Sequence, residues 1–278
     1  MRTKFFGILV AILILASGKV TGNGAVRNTI FKGGESVSYD LFYNWGFIWI
    51  HAGFVNFSVH DMMYKGKPSY RFSATGNSLK SFDKFYKVRD TLYSVADKNT
   101  LLPYYYKRAT HEDSYWAQDE YFFTATGAKT TLITDCRRRK GYQAIDTLSF
   151  NSTVTDLVTV FYRVRNLNFN QMKIDEKHSF SIVYDDDKKP LDLHFKYIGK
   201  GEVELKNGKR YNCIKLRPLL VKGKVFKEED GMTIYLSDDR NRIPIMIESK
   251  IRVGSIKAML TKTEGTLYPF ESIITTKK

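Results

Sequence analysis

The sequence predicts a mainly β protein, in which an antiparallel curved sheet forms a half-open or closed β-barrel-like fold with one or two short helices. The dominant hydrophobic period is two: from Val37 to Trp49, apolar side chains occupy the odd positions, and the even positions begin with polar residues. This alternation is typical of half-buried strands. Turn-forming clusters separate many such runs at short spacing, which favours a sandwich or a barrel. A hydrophobic fraction of 43% in 278 residues is sufficient for a large core.

The start of the chain has the pattern of an export signal. Residues 1–4 are basic, residues 5–16 (FFGILVAILILA) are apolar, and residues 16–18 are small, as at a cleavage site. A membrane anchor needs ~20 apolar residues, and this run is shorter. We therefore expect removal of residues 1–18 as a signal peptide. The remainder is expected to form a single β-rich domain over residues 26–275, soluble in the periplasm or another extracytoplasmic space.

The first hairpin is the most apolar part of the predicted domain. Phe42–Val59 reads FYNWGFIWIHAGFVNFSV and contains no formal charge. Asn44–Gly46 can form a turn, so that a second strand over Phe47–His60 pairs back on the first. Both faces of this second strand are apolar, which requires either cover on both sides or an apolar cavity against one side.

Further strands follow the same signature. Asn207-Gly208 is the strongest single hairpin signal, because a type I′ turn needs positive φ at both central residues. The predicted strands are Tyr70–Ala74, Phe85–Val95, Tyr104–Arg108, Tyr115–Thr124, Thr130–Cys136, Phe180–Tyr184, Leu191–Lys200, Lys209–Leu220, Gly231–Leu236, Ile243–Ile251 and Gly254–Thr261.

Helix is the minority. Thr155 can cap a helix over Asp156–Arg165, with an acidic residue early and a basic residue late, as the helix dipole prefers. One apolar stripe at helical spacing would pack this helix against a sheet. The stripe consists of Leu157, Val160, Phe161 and Val164. A shorter helix or turn is expected at Ser78–Lys84.

Four segments together resemble a known family. They read GESVSYDLFYNWGFIWIHAGFVNFSV, FYKVRDTLYSVADKNTLLPYYY, the predicted helix, and MTIYLSDDRNRIPIMIESKIRVGSIKAML. The last is the most specific: a strand that ends in Leu-Ser-Asp, a turn, Arg-Ile-Pro, and a strand that leads into Val-Gly-Ser. The chain resembles the exported bacterial family of domain of unknown function 3108 (DUF3108). The resemblance implies a periplasmic, antiparallel β-rich fold, similar to the half-open barrels of outer-membrane lipoprotein carriers, and it transfers no activity.

Charge and cysteine usage leave alternatives open. The formal net charge of +15 favours anionic partners, or serves solubility alone. The densest basic run, Arg137, Arg138, Arg139 and Lys140, is either an exposed turn or a contact for an anionic membrane surface. Cys136 and Cys213 would lie in an oxidising space, where they form either one disulfide or two separate thiols.

Catalytic signals are weak. The five histidines lack metal-ligand spacing, and the nucleophile and phosphate-binding motifs are absent, so we expect no metal and no cofactor. Asp90, Asp238 and Arg242 lie at predicted strand ends, where they either pin hairpins or, with His51, serve a hydrolase that acts on an envelope polymer. We expect a protein without catalytic activity.

Two binding functions remain. In the first, the protein carries or senses a lipid, an acyl chain or another hydrophobic ligand in the cell envelope, and the apolar hairpin and the helix form the wall of the pocket. The residues of that wall are Trp45, Phe47, Trp49, His51, Phe54 and Phe161. In the second, the hairpin is ordinary core and the protein is a module that binds another envelope protein. We expect a monomer that does not bind nucleic acid.

Overall fold

Fourteen strands form one antiparallel sheet in the computed structural model, which describes residues 24–184, 188–219, 231–251 and 253–275. The predicted signal peptide lies outside these residues. In chain order the strands are β1 (Ser36–Trp45), β2 (Ile48–Tyr64), β3 (Lys67–Ser78), β4 (Val88–Asp97), β5 (Pro103–Glu112), β6 (Tyr115–Thr126), β7 (Lys129–Arg138), β8 (Gln143–Phe150), β9 (Lys177–Ile182), β10 (Leu191–Glu204), β11 (Arg210–Pro218), β12 (Met232–Ser237), β13 (Pro244–Lys250) and β14 (Ser255–Glu264).

The sheet curves without closing. Its order is β8-β7-β6-β5-β4-β3-β2-β1-β14-β13-β12-β11-β10-β9, so strands consecutive in sequence pair as hairpins and β1 joins β14. The two edges, β8 and β9, are consecutive in the chain, and the segment between them carries the helix α1 (Leu157–Arg165). Before α1, Thr155 makes a parallel bridge to Ile182 of β9. The prediction of a β-rich, half-open fold is confirmed.

α1 lies within the curve of the sheet. Its N-cap is Asp156 and not Thr155, because the Asp156 carboxylate accepts the backbone N–H groups of Val158 and Thr159. The prediction of one buried stripe was too narrow: Leu157 and Val160 are buried, and Phe161 and Val164 are half-buried. The other residues of the helix are buried as well: Val158, Thr159, Tyr162, Arg163 and Arg165. A curved sheet surrounds a helix on more than one side, whereas a flat sheet covers one face.

Sequence alternation found thirteen of these fourteen strands. β8 was missed because its alternating residues are half-buried at most, which leaves a weak hydrophobic pattern. The segment that begins at Ser78 is the end of β3 followed by turns, such as the bond from Asp83 N to Leu79 O at 2.9 Å. At the β10–β11 turn only Gly208 has positive φ, so the turn is not type I′. Gly208 N donates to Leu205 O at 2.8 Å, as expected when a type I turn is followed by a left-handed glycine.

The two cysteines are not bridged. Cys136 and Cys213 are buried thiols that belong to different parts of the core. Cys136 packs with residues of β2–β7 and α1, and Cys213 with residues of β1, β13 and β14. Burial raises the pKa of the Cys213 thiol to about 12, so it remains protonated and unreactive near neutral pH.

No membrane-crossing helix is found among the described residues, since none of their helices combines the length and the apolar character that a span requires.

Candidate functional site

An apolar cavity lies between α1 and the concave face of the sheet. Its volume is about 90 Å³, and its walls come from β1–β4 on one side and β10–β14 on the other. By the same measure of volume, one water molecule needs ~10–15 Å³, so the cavity has room for roughly six to nine waters. All the lining residues are Ala, Val, Leu, Ile, Met, Pro, Phe or Tyr. A cavity with such walls gives water few partners and favours an apolar occupant.

Phe161 and Val164 form the helix side of the cavity wall, together with Leu157, Val158 and Val160. The Phe161 ring stacks on that of Phe57 from β2, with 4.3 Å between the ring centroids and an interplanar angle of 4°. Phe161 and Val164 are the half-buried residues of α1, because they face open space where the other residues of the helix are packed.

The first turn of α1 is fixed by a buried carboxylate. Asp156 accepts hydrogen bonds from Val158 N at 2.9 Å and from Thr159 N at 2.8 Å. It also accepts the Thr159 hydroxyl at 2.8 Å and the Ser94 hydroxyl of β4 at 2.9 Å. Burial raises the pKa of Asp156, although these four bonds act in the opposite direction. The helix therefore starts at a fixed point on β4.

The last turn of α1 is fixed by a buried ion pair. The Arg165 guanidinium donates to both carboxylate oxygens of Glu35, at 2.6 Å and 2.9 Å, and to Asn241 O at 2.9 Å. Both charged side chains are almost fully buried. Arg242 donates to Arg165 O at 3.2 Å and also to Leu167 O. With both ends anchored, the central residues of α1 are held across the cavity.

Tyr39 is the polar exception in the cavity wall. Its hydroxyl is buried and has no hydrogen-bond partner among the described residues. Burial raises the pKa of Tyr39 well above its usual range, so the hydroxyl stays neutral. A buried donor without a partner is costly in a folded protein.

Tyr39→Phe is expected to raise the free energy of unfolding of the ligand-free protein by about 1 kcal/mol, because it removes a buried polar group that makes no hydrogen bond. Urea unfolding of the two proteins measures the difference. A loss of 1 kcal/mol or more on this substitution would show that the hydroxyl already has a partner in the protein.

A second buried region, on β4–β7, is polar. Asp90 of β4 accepts His111 N at 3.0 Å, and Tyr86 donates to Glu112 at 2.9 Å. Burial and the neighbouring Glu112 carboxylate raise the pKa of Asp90 to about 7.

The next strands carry a buried ion-pair cluster. The Asp119 carboxylate accepts a hydrogen bond from the Arg138 guanidinium at 2.5 Å and is also ion-paired with Arg108.

The raised pKa of Asp90 predicts a pH dependence of stability. The folded protein holds a proton that the unfolded chain, with a pKa near 3.8, releases, so the free energy of unfolding falls as pH rises from about 4 to about 7. The contribution is on the order of 2–4 kcal/mol. Asp90→Asn is expected to be relatively more stable at pH 8 than at pH 5, compared with the wild type. Equal differences at both pH values, in urea titrations, would contradict the assignment.

The family of the chain follows from its sequence over most of this architecture. The model of the family described as "Protein of unknown function (DUF3108)" matches residues 38–261, from β1 to β14. The chain belongs to the DUF3108 family. No curated protein matches its sequence.

A solved structure shows the same type of fold. It is the crystal structure of a β-barrel-like protein of domain of unknown function DUF1849 from Brucella abortus, with a TM-score of 0.55 and 10% sequence identity. The match covers 85% of this chain and 99% of that chain. At this identity the likeness concerns the fold alone.

Most of the residues predicted for the pocket wall of this DUF3108 protein lie outside the cavity. Trp45, Phe47 and Trp49 are exposed at or near the β1–β2 turn, Phe54 is exposed further along β2, and none of the four lines the cavity. Of the six residues predicted for the wall, Phe161 is the one that does. The alternating pattern identifies which side chains are apolar, but it does not indicate whether other residues pack against them.

His51 has an ordinary surface environment. Its Nε2 lies 3.1 Å from Gly53 O and 3.4 Å from an Asp40 carboxylate oxygen. Its ring stacks on Phe42, with 4.9 Å between the centroids. These contacts hold the imidazole on β1 and β2, outside the cavity.

The polar candidates do not converge on one cleft. Asp238 and Arg242 lie in the loop between β12 and β13. Asp238 is ion-paired with Lys200 at 2.9 Å. The Arg242 guanidinium donates to the backbone carbonyls of Arg165 and Leu167, at the end of α1. Among the described residues, no hydrogen bond or ion pair joins these two residues to Asp90 or to His51. Arg242 supports the helix, and Asp90 belongs to the polar region of β4–β7.

The basic run is partly neutralised. Arg137 pairs with Asp135 at 2.6 Å, and Arg138 pairs with Asp119. Arg139 and Lys140 are in a 3₁₀ turn, Arg139–Gly141, in which no residue is buried. Two of the four cations therefore remain for contact with an anionic surface.

The sequence predicted the apolar residues of α1 that line the cavity, but not those of the sheet or the residues that anchor the helix. Tyr39 and Phe57 appeared only as members of strands, and Arg165 only as a favourable charge at a helix end. Glu35 lies 130 residues before Arg165, and no local pattern relates the two.

Proposed function

We propose that this DUF3108 protein binds, without catalysis, a hydrophobic ligand that has an extended apolar chain, such as an acyl chain, in the cavity between α1 and the sheet. The observation that carries the proposal is the set of lining side chains, which apart from Tyr39 are all apolar, around a cavity of about 90 Å³. Close packing is the norm in protein interiors, and a space of this size is costly unless something occupies it.

The form of the cavity favours a slender ligand. About 90 Å³ is below the ~300 Å³ at which small-molecule pockets begin. A single alkyl chain suits a cavity of this volume better than a bulky ligand does.

The compartment is part of the same proposal. An apolar leader over residues 5–16 and the resemblance to an exported family support a role in the cell envelope, where water-insoluble chains need carriers or sensors. The sheet stays open between β8 and β9, and we propose this gap as the route by which a chain reaches the cavity.

A displacement titration tests the proposal. The protein is loaded with a fluorescent fatty acid, and unlabelled palmitate and decane are added as competitors. We expect saturable displacement by palmitate with one site per chain. Absence of saturable binding by both the probe and palmitate would overturn the proposal.

A further inference from the structure

The tip of the β1–β2 hairpin carries an exposed apolar surface. Phe47 is 94% exposed and Trp45 57% exposed, and Ile48 and Ile50 are exposed beside them. The segment from Phe42 to Gly53 contains no acidic residue. Large side chains of this kind are seldom displayed together on a protein surface without a binding role.

Two neighbouring loops extend this surface. In the segment between β3 and β4, Phe85 is 82% exposed, and Leu79 N of that segment donates to Ala52 O of β2 at 2.9 Å. In the turn between β13 and β14, Val253 is exposed, and its carbonyl accepts the Tyr43 hydroxyl at 3.0 Å. We call this surface the apolar tip; it consists of Trp45, Phe47, Ile48, Ile50, Phe85 and Val253.

Lysines surround the apolar tip. Lys206 Nζ lies 4.7 Å from the centroid of the Phe42 ring, and Lys257 Nζ lies 5.2 Å from that of Trp49. Lys84 and Lys87 are exposed on either side of Phe85.

Two carboxylates near the tip are already neutralised. Asp83 is ion-paired with Arg89 at 2.7 Å, and Glu248 with Lys257 at 2.9 Å. Because Lys257 is paired with Glu248, the positive charge around the apolar tip comes from Lys84, Lys87 and Lys206, in agreement with the net charge of +15 for the whole chain.

We propose that the apolar tip docks the protein on the surface of a lipid bilayer that contains anionic phospholipid. Phe47 enters the acyl region, Trp45 and Trp49 lie at the level of the headgroups, and the lysines contact headgroup phosphates. Trp rings prefer this interface, because one part is apolar and the indole N–H is polar. Apolar insertion and attraction to anionic lipid act together in such docking.

The composition of the tip favours a bilayer over a protein partner. A fluid lipid surface accepts a convex, protruding set of aromatic side chains without a shaped receptor, and lysines around an apolar centre match anionic headgroups around acyl chains. The tip shares no residue with the lining of the cavity, so docking and ligand binding can be tested separately.

Tryptophan fluorescence gives a local test. The chain has three Trp residues, so a Trp116→Phe background leaves Trp45 and Trp49, both in the hairpin. Vesicles of equimolar phosphatidylcholine and phosphatidylglycerol with brominated acyl chains are added. We expect a blue shift and quenching, both weaker with phosphatidylcholine alone and at high salt.

Matched variants separate the apolar and electrostatic parts. Phe47→Asp is expected to weaken partitioning roughly tenfold or more, whereas Ile145→Asp, at an exposed position on β8, leaves it unchanged. Lys206→Gln weakens binding to the anionic vesicles, and Lys129→Gln, at the exposed start of β7, does not.

Three outcomes would overturn the proposal. The first is absence of quenching in anionic vesicles, and the second is equal partitioning of Phe47→Asp and the parent protein. The third is self-association through the apolar tip, seen in sedimentation as a dimer of the parent protein that is absent from Phe47→Asp. Palmitate binding is expected to be unchanged in Phe47→Asp, so failure of docking does not count against the cavity.

Discussion

Arg165→Ala is expected to lower the free energy of unfolding by about 3–5 kcal/mol. The substitution removes two bonds to Glu35 and leaves that carboxylate buried without its cation. It also removes the bond to Asn241 O, which connects the end of α1 to the loop after β12. Urea unfolding at neutral pH, with the midpoint and slope reported separately, measures the change.

Two controls show whether burial is the reason. Arg210→Ala breaks the Arg210–Glu202 pair, in which both side chains are about half exposed, and is expected to cost at most about 1 kcal/mol. The double variant Glu35→Leu/Arg165→Met removes both buried charges and is expected to recover most of the loss. An effect of Arg165→Ala no larger than that of Arg210→Ala would contradict the described anchor of the helix.

Val164→Trp is expected to reduce palmitate affinity at least tenfold while the protein remains folded. Val164 faces the cavity from α1, and an indole at this position would occupy space that a ligand chain needs. Because the larger side chain fills an existing void, the stability penalty should be small compared with overpacking a filled core. The displacement titration with the fluorescent fatty acid measures the loss.

The matched control places the same residue outside the cavity. Ile174→Trp changes an exposed position and is expected to leave affinity unchanged. Unaltered palmitate affinity in Val164→Trp, with a normal unfolding midpoint, would show that the ligand does not use the space beneath α1.

The fold could be predicted from local patterns because an antiparallel sheet of consecutive hairpins depends mostly on neighbours in sequence. Each of the strands β2–β7, for example, pairs with the strands just before and after it. Period-two alternation and turn residues are local signals, and they suffice for such pairing. β8 was not predicted, because the residues of this edge strand are half-buried at most and its hydrophobic alternation is weak.

The site depended on contacts that local patterns do not encode. Glu35 and Arg165, 130 residues apart, form one ion pair, and β1 pairs with β14, which lies more than 200 residues later in the chain. The apolar hairpin was interpreted as a pocket wall on the assumption that Phe47 and Trp49 would be buried. Hydrophobicity indicates that a side chain tends to be buried away from water, but it does not specify whether protein, ligand or lipid buries it.

Native mass spectrometry of protein isolated from cells without detergent, followed by solvent extraction and identification of the released species, shows whether the cavity holds a ligand. We expect one added molecule with an alkyl chain per protein in the wild type and none in Val164→Trp. A bare protein mass for the wild type, or the same added mass on both proteins, would contradict a ligand site between α1 and the sheet.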